Sequence, residues 1–156
     1  MTNSIFHDII LDIRRFAETA RDFTALQEFC VSVIAGRLSY YNWVGFYMLD
    51  LSDENVLVLG PFHGAPTEHV RIPVTEGICG AAVAQGKAVI VEDVSADPRY
   101  LACSLETRSE IVVPIRAKGK IVGEIDIDSH MLNAFGADDR SFLENCAEVL
   151  EQFLEK

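Results

Sequence analysis

The thiols of this 156-residue chain are limited in what they can do by their number and spacing. Four cysteines are too few for the dense framework of a small secreted domain, and they lack the paired short spacings of a zinc site. That leaves reduced thiols with individual roles. Cys30 and Cys146 fall at apolar positions of amphipathic helices, where free cysteine behaves as a small hydrophobe. Cys79, in VTEGICGAAVAQG, and Cys103, in SADPRYLACSLETR, belong to turn and loop sequence instead. The second chemical feature is acidic. Glu110, Asp126 and Asp128 interrupt two otherwise apolar stretches, SEIVVPIRA and IVGEIDID, where a carboxylate is costly unless a proton or a cation answers it.

Helices flanking a central antiparallel sheet are predicted to position these groups. Ile5, Phe6, Ile9, Ile10, Ile13 and Phe16 recur at helical spacing. A second helix runs from Thr24, with Gln27 completing a capping box, and buries Leu26, Phe29, Cys30, Val33, Ile34 and Leu38. From Trp43 the pattern changes to short apolar runs, WVGFYML and VLVLGPF, separated by polar residues as a hairpin requires. Gly77 and Gly80 then frame a turn, AAVAQ suits a short helix ending at Gly86, and AVIVED reads as a strand, so Cys79 lies near a helix N-terminus. The segment that carries Cys103 lacks steady periodicity and contains a proline, which marks an active-site-style loop. Two strong strands joined at KGK follow, and a last helix from about Asp138 buries Phe142, Leu143, Cys146, Val149, Leu150 and Phe153.

The last hairpin brings the acids together. Ile111, Val113 and Ile115 share one face of their strand, Ile125 and Ile127 share one face of the next, and both faces must be buried. A two-residue loop at Lys118 and Gly119 puts Ile111 opposite Asp126; a three-residue loop, Lys118 to Lys120, puts it opposite Ile127, and that register is the one expected. Glu110 then faces Asp128, with Asp126 one step along the same face. Like charges directly opposite destabilise a sheet, so either one group holds a proton, or a cation such as an ammonium sits among them, or the face is solvated and the carboxylates splay into water. Periodicity alone leaves these readings open.

Length and composition point to one domain over residues 1–156, with 49% hydrophobic and 24% charged residues and no low-complexity tract. The net charge of −11 repels phosphate backbones and anionic lipid, so neither nucleic acid nor membrane is an expected partner. The basic cluster Arg116, Lys118 and Lys120 is short and sits around a turn. MTNSIFHDIILDIRRF reads as an amphipathic helix rather than a cleaved signal, and no stretch approaches bilayer length, so the expected address is the cytoplasm.

YNWVGFY (Tyr41 to Tyr47), LGPFHG (Leu59 to Gly64), EGICG (Glu76 to Gly80), VEDV (Val91 to Val94), ACS around Cys103, SEIVVP (Ser109 to Pro114) and DIDS (Asp126 to Ser129) together resemble the GAF-domain family of free methionine-(R)-sulfoxide reductases. The resemblance covers nearly the whole chain. It implies an α+β fold, a GAF-like central antiparallel sheet with N- and C-terminal helices packed on one face and loops forming a ligand pocket on the other. It also implies a nucleophilic cysteine matching Cys103, a partner cysteine matching Cys79, substrate-binding carboxylates matching Glu110, Asp126 and Asp128, and an aromatic wall matching Trp43 and Tyr47. From spacing alone those two aromatics are plain sheet-core residues. One departure stands out: family members often carry a third cysteine just before RIP, where this chain has His69.

The activity so implied is thiol-dependent reduction of free methionine sulfoxide. Cys103 thiolate attacks the sulfoxide sulfur and becomes a sulfenic acid, Cys79 closes a disulfide, and an external dithiol such as thioredoxin recycles the enzyme. Arg99 and Arg108 are sequence-level candidates for lowering the Cys103 pKa, and a carboxyl of the acidic cluster for protonating the sulfoxide oxygen. No resident cofactor and no metal are expected, since His69, Cys79 and Cys103 are scattered without zinc spacing. A homodimer fits the family's tendency. The alternative is a non-catalytic GAF module that binds or senses a small ligand.

Overall fold

The N-terminal apolar residues realise their helical spacing in α1 (Thr2–Thr19), where Phe6, Ile9, Ile13 and Ala17 are buried along one stripe. This computed structural model describes residues 2–101 and 105–156. The next helix, α2 (Phe23–Arg37), begins one residue before Thr24. Its N-cap is Asp22, whose carboxylate accepts the Ala25 N–H at 2.8 Å, so the predicted Thr24–Gln27 capping box gives way to a stronger capping residue just upstream. Leu26, Cys30, Ile34 and Leu38 are buried as predicted, whereas Phe29 and Val33 stay half-buried, Phe29 stacking on Phe16 at 4.3 Å between ring centres.

The described strands are β1 (Trp43–Asp50), β2 (Asp53–His63), β3 (Arg71–Pro73), β4 (Val89–Val91), β5 (Ser109–Ala117) and β6 (Lys120–Ser129). They form one antiparallel sheet in the order β3-β2-β1-β6-β5-β4, with β1 and β6 at its centre. Sequence reading missed β3, a three-residue strip pairing with Val56 to Val58. Helix α3 (Gly77–Gln85) connects β3 to β4, a short 3₁₀ turn covers Val94–Ala96, and α4 (Ala137–Leu154) closes the described fold.

Two apolar layers divide the sheet's faces. Val44 and Phe46 of β1, Ile111, Val113 and Ile115 of β5, and Ile125 and Ile127 of β6 pack on the buried stripes of α1, α2 and α4. The predicted α4 stripe is buried except for Phe153, which stays half-buried beside Phe23. On the opposite face Trp43, Tyr47, Leu57, Ile72, Val89, Val91 and Val112 pack with Ile78, Cys79 and Ala82 of α3. This is the expected α+β arrangement, with α3 and the connecting loops covering the second face.

The β5–β6 hairpin reaches the expected register by an unexpected route. Ala117 pairs with Lys120, so the loop has two residues, Lys118 (φ 53°) and Gly119 (φ 80°), rather than three. A bulge then intervenes: Arg116 pairs with Ile121 but Ile115 pairs with Gly123, which leaves Val122 as the extra residue. Beyond the bulge Ile111 faces Ile127, Val113 faces Ile125 and Glu110 faces Asp128. The tight turn takes its preferred length, and the bulge restores the register that burial of both isoleucine rows demands.

The entry to β1 is fixed by a buried carboxylate. Asp139, in the first turn of α4, accepts hydrogen bonds from the Tyr40 hydroxyl at 2.5 Å, the Tyr41 hydroxyl at 2.8 Å and the Gly136 backbone N–H at 3.0 Å. Burial and the adjoining carboxylate both raise the Tyr40 and Tyr41 pKa values. This clamp ties the segment leading to Trp43 to the start of α4. Tyr41→Phe should lower unfolding free energy by about 1–2 kcal/mol, and Asp139→Ala, which strands two hydroxyls and a cap, by about 3 kcal/mol. Urea denaturation checks both; an Asp139→Ala loss no larger than that of Tyr41→Phe would contradict the clamp.

Candidate active site

Strand alternation on β6 sends Ile125 and Ile127 toward the helices and Glu124, Asp126 and Asp128 toward α3. Their cross-strand neighbours complete the site face. Asp128 lies between Trp43 of β1 and Glu110 of β5, Asp126 between Gly45 and Val112, and Glu124 between Tyr47 and Pro114. All four acids are sealed from solvent, with Glu110 3%, Glu124 0%, Asp126 1% and Asp128 1% exposed. This excludes the solvated reading of the acidic face.

Glu124 was not among the residues singled out from sequence, although its signal was present. The acids of GEIDID recur at every second position, so the polar face that holds Asp126 and Asp128 also holds Glu124.

Cys79 meets these acids from above. It is the third residue of α3, and its thiol donates to Asp126 Oδ2 at 3.5 Å. A helix N-terminus favours thiolate by only about 1 kcal/mol or less, and here it is outweighed. Burial pushes the Cys79 thiol well above its ordinary range, and the charges of Asp126, Glu124 and Glu110 push it further. The acids respond to the same dry setting: burial raises Glu124, Asp126 and Asp128, with like-charge repulsion from Asp126 adding to the first and last. Glu110 bonds to both Asp126 and Asp128, and among the described residues neither oxygen of Glu124 meets a donor at ordinary hydrogen-bond geometry. Donor atoms of Cys79, Glu110 and Asp126 lie within 4.8 Å of one another, close enough to share one cation.

The predicted aromatic wall borders the acids. Trp43 and Tyr47 are 6% and 0% exposed, stack at 6.2 Å, and belong to the apolar layer under α3. The Trp43 ring lies over Gly45, where any Cβ would come within 2.4 Å of it, so this glycine makes room for the indole. Hydrogen bonds lock both rings, from Trp43 Nε1 to the Ala65 carbonyl at 3.0 Å and from the Tyr47 hydroxyl to the His69 carbonyl at 2.7 Å. His69 thus contributes a backbone oxygen to the wall's support.

Cys103, the predicted nucleophile, lies outside the described residues. Leu101 packs over Gly77 so closely that a Cβ there would meet Leu101 Cδ1 at 3.0 Å, at the start of the helix bearing Cys79. Of the two candidate cations, Arg99 is held by Asp97 through bonds of 3.0 and 2.7 Å, and Arg108 is solvent-exposed. Cys30 and Cys146 sit in the helical core, 1% and 0% exposed, with burial pushing the Cys30 thiol up to about 12.

Residues 7–154 match the GAF domain family. The chain is 50% identical to Protein YtsP of Bacillus subtilis over 72% of this chain and 68% of that protein. It is 38% identical to the free methionine-R-sulfoxide reductase of Escherichia coli over 89% of this chain and 88% of that protein. Among solved structures, the free methionine-R-sulfoxide reductase of Neisseria meningitidis in complex with its substrate superposes with a TM-score of 0.93 at 34% identity, over 99% of this chain and 90% of that one. The chain therefore belongs to the GAF-domain family of free methionine-R-sulfoxide reductases.

Proposed function

We propose that this chain reduces free methionine-(R)-sulfoxide to methionine, with Cys103 as nucleophile and Cys79 as the resolving thiol. The observation that carries the reading is the buried acid cluster beside Cys79: among the described residues no ion pair reaches Glu124, Asp126 or Asp128, so their charge calls for a cation from outside the chain. An amino acid's ammonium answers that demand, and its methyl sulfoxide end then lies against Trp43 and Tyr47. Close relatives that carry the reductase name, one of them solved with its substrate, favour the same ligand class.

The chemistry balances without a resident cofactor. Cys103 thiolate attacks the sulfoxide sulfur while a carboxylic acid of the cluster supplies a proton to the oxygen; the S–O bond breaks, Cys103 gains a sulfenic hydroxyl, and methionine leaves. The Cys79 thiol then attacks the Cys103 sulfur, giving a disulfide and one water. An external dithiol such as thioredoxin reduces the disulfide and is itself oxidised. A carboxylic acid held neutral by burial is suited to the first proton transfer, and Asp126, which accepts the Cys79 S–H, to the second. The packing of Leu101 on Gly77 supports a meeting of the two thiols near the start of α3. Pairing of two copies and a cytoplasmic setting complete the proposal; among the described residues no helix is long and apolar enough to cross a membrane.

Methionine release from each sulfoxide diastereomer, with dithiothreitol as reductant, tests the activity. The R form should be turned over, Cys103→Ser should abolish release, and the Cys30→Ala/Cys146→Ala double variant should keep most of it. Release unaffected by Cys103→Ser would overturn the nucleophile, and no release by the unsubstituted protein would return the site to a ligand-binding role.

The acids also set a pH dependence. Glu124, Asp126 and Asp128 have folded-state pKa values above their ordinary ones of 4.5, 3.8 and 3.8. Each contributes stability that is complete below its unfolded pKa and lost as pH rises through the folded one. The ligand-free protein should therefore melt at a higher temperature near about pH 5.5 than near about pH 8.5, by about 3 °C or more, and Asp128→Asn should narrow the difference. Differential scanning calorimetry reads both; a melting temperature that climbs with pH over this interval would contradict the buried, cation-less cluster.

A further inference from the structure

Three donors of two chemistries, one sulfur and two carboxyl oxygens, converge between the sheet and α3. The Cys79 thiol and one oxygen each of Glu110 and Asp126 lie within 4.8 Å of one another, and the three residues are 4%, 3% and 1% exposed. They come from α3, β5 and β6, so the tertiary fold assembles a group that has no short spacing along the chain. One edge is already at ligand spacing. Cys79 Sγ stands 3.5 Å from Asp126 Oδ2, and a tetrahedral zinc ion, with bonds of about 2.3 Å to sulfur and about 2.0 Å to oxygen, holds such a pair about 3.5 Å apart. Protons now bridge these groups: the thiol donates to Asp126, and the bond between the Glu110 and Asp126 carboxyls requires another. A second observation points to a cation. Glu124, next on the strand face of Asp126 and turned toward α3, is 0% exposed, and neither of its oxygens meets a donor at ordinary hydrogen-bond geometry.

We propose that Cys79, Glu110 and Asp126 form a site for a thiophilic divalent cation of the zinc type, which competes with the substrate's ammonium and arrests the enzyme while it is bound. The arrest rests on the reductase reading; the coordination does not. The exchange balances: one divalent ion enters, the thiol proton and the proton between Glu110 and Asp126 leave, and no electrons move. The pocket's net charge is unchanged, which is what a dry site requires. Its donors also set the selectivity. A thiolate with two carboxylates in a sealed pocket suits Zn2+ or Co2+, whereas Ca2+ takes about six or more oxygen ligands and Mg2+ keeps several of its waters. A bound ion fills the place of the ammonium and ties up the Cys79 sulfur, so the thiol cannot close a disulfide.

Cobalt(II) reads the site directly, because a thiolate ligand gives it a near-ultraviolet charge-transfer band that carboxylates do not. The Cys103→Ser protein isolates Cys79, since Cys30 and Cys146 lie in the core on the other face of the sheet. Anaerobic Co2+ should raise the band to stoichiometric saturation, Zn2+ should bleach it, and Mg2+ should leave it unchanged. Adding Cys79→Ala should abolish the band, and adding Asp126→Asn or Glu110→Gln should weaken binding by at least about tenfold. No band, a band that survives Cys79→Ala, or binding indifferent to both carboxamide variants overturns the site. Should those variants not fold, alkylation of Cys79 in Cys103→Ser supplies the reading: Zn2+ should suppress it, and unchanged labelling overturns the site equally. Competition is read in a single turnover of the pre-reduced, dithiothreitol-free protein, where stoichiometric Zn2+ should suppress methionine release and EDTA should restore it; release indifferent to bound zinc overturns the arrest. Absence of release by the metal-free protein would remove the reductase reading and leave the cobalt titration to decide the site.

Discussion

Burying a row of carboxyl groups on one face of a central strand is the constraint that organises this molecule. On β6 the residues alternate Glu124, Ile125, Asp126, Ile127, Asp128, so a single strand must satisfy an apolar layer on one side and an acidic one on the other. Ionised carboxylates in a dry site without partners cost several kcal/mol each, and no ion pair reaches Glu124, Asp126 or Asp128 among the described residues. The fold holds them in place because the isoleucine row behind them is fully buried against α1, α2 and α4. The site is thus paid for by the core on the reverse of the same strand, and its acids stay protonated or wait for a cation.

That constraint explains features that look unrelated. The Val122 bulge sets the hairpin register so that both isoleucine rows face the helices, and the same shift aligns Glu110 with Asp128. The clamp of Tyr40 and Tyr41 on Asp139 fixes where β1 begins, which places Trp43 opposite Asp128 and Tyr47 opposite Glu124. Helix α3 completes the enclosure, bringing an uncharged thiol where a second layer of charge would be intolerable.

Much of this arrangement was legible in the sequence because it follows from period-two alternation and from the need to bury isoleucine. The register of Glu110 with Asp128 was read correctly through a loop of the wrong length, since burial dictates the pairing while a local bulge absorbs the preferred two-residue turn. Asp22 was overlooked as the cap of α2 because Thr24 and Gln27 formed a plausible box two residues later. The place of Cys79 near a helix start was legible, but burial and three surrounding carboxyls, which outweigh the helix dipole there, come together only in the tertiary fold. Glu124 carried the same alternation as its neighbours; what sequence could not supply was that Tyr47 and α3 would seal it completely. Cys103 lies outside the described residues, so its proposed role rests on resemblance.

The role proposed for the acid cluster is to receive an ammonium group. Isothermal titration of the Cys103→Ser protein with free methionine sulfoxide and with its N-acetyl derivative, which lacks that charge, probes this role. The expected result is saturable binding of the free amino acid and at least about a hundredfold weaker binding of the acetylated one, the loss that follows from stranding buried acids without their cation. Equal binding of the two would contradict the claim and separate the carboxyl groups from ligand recognition.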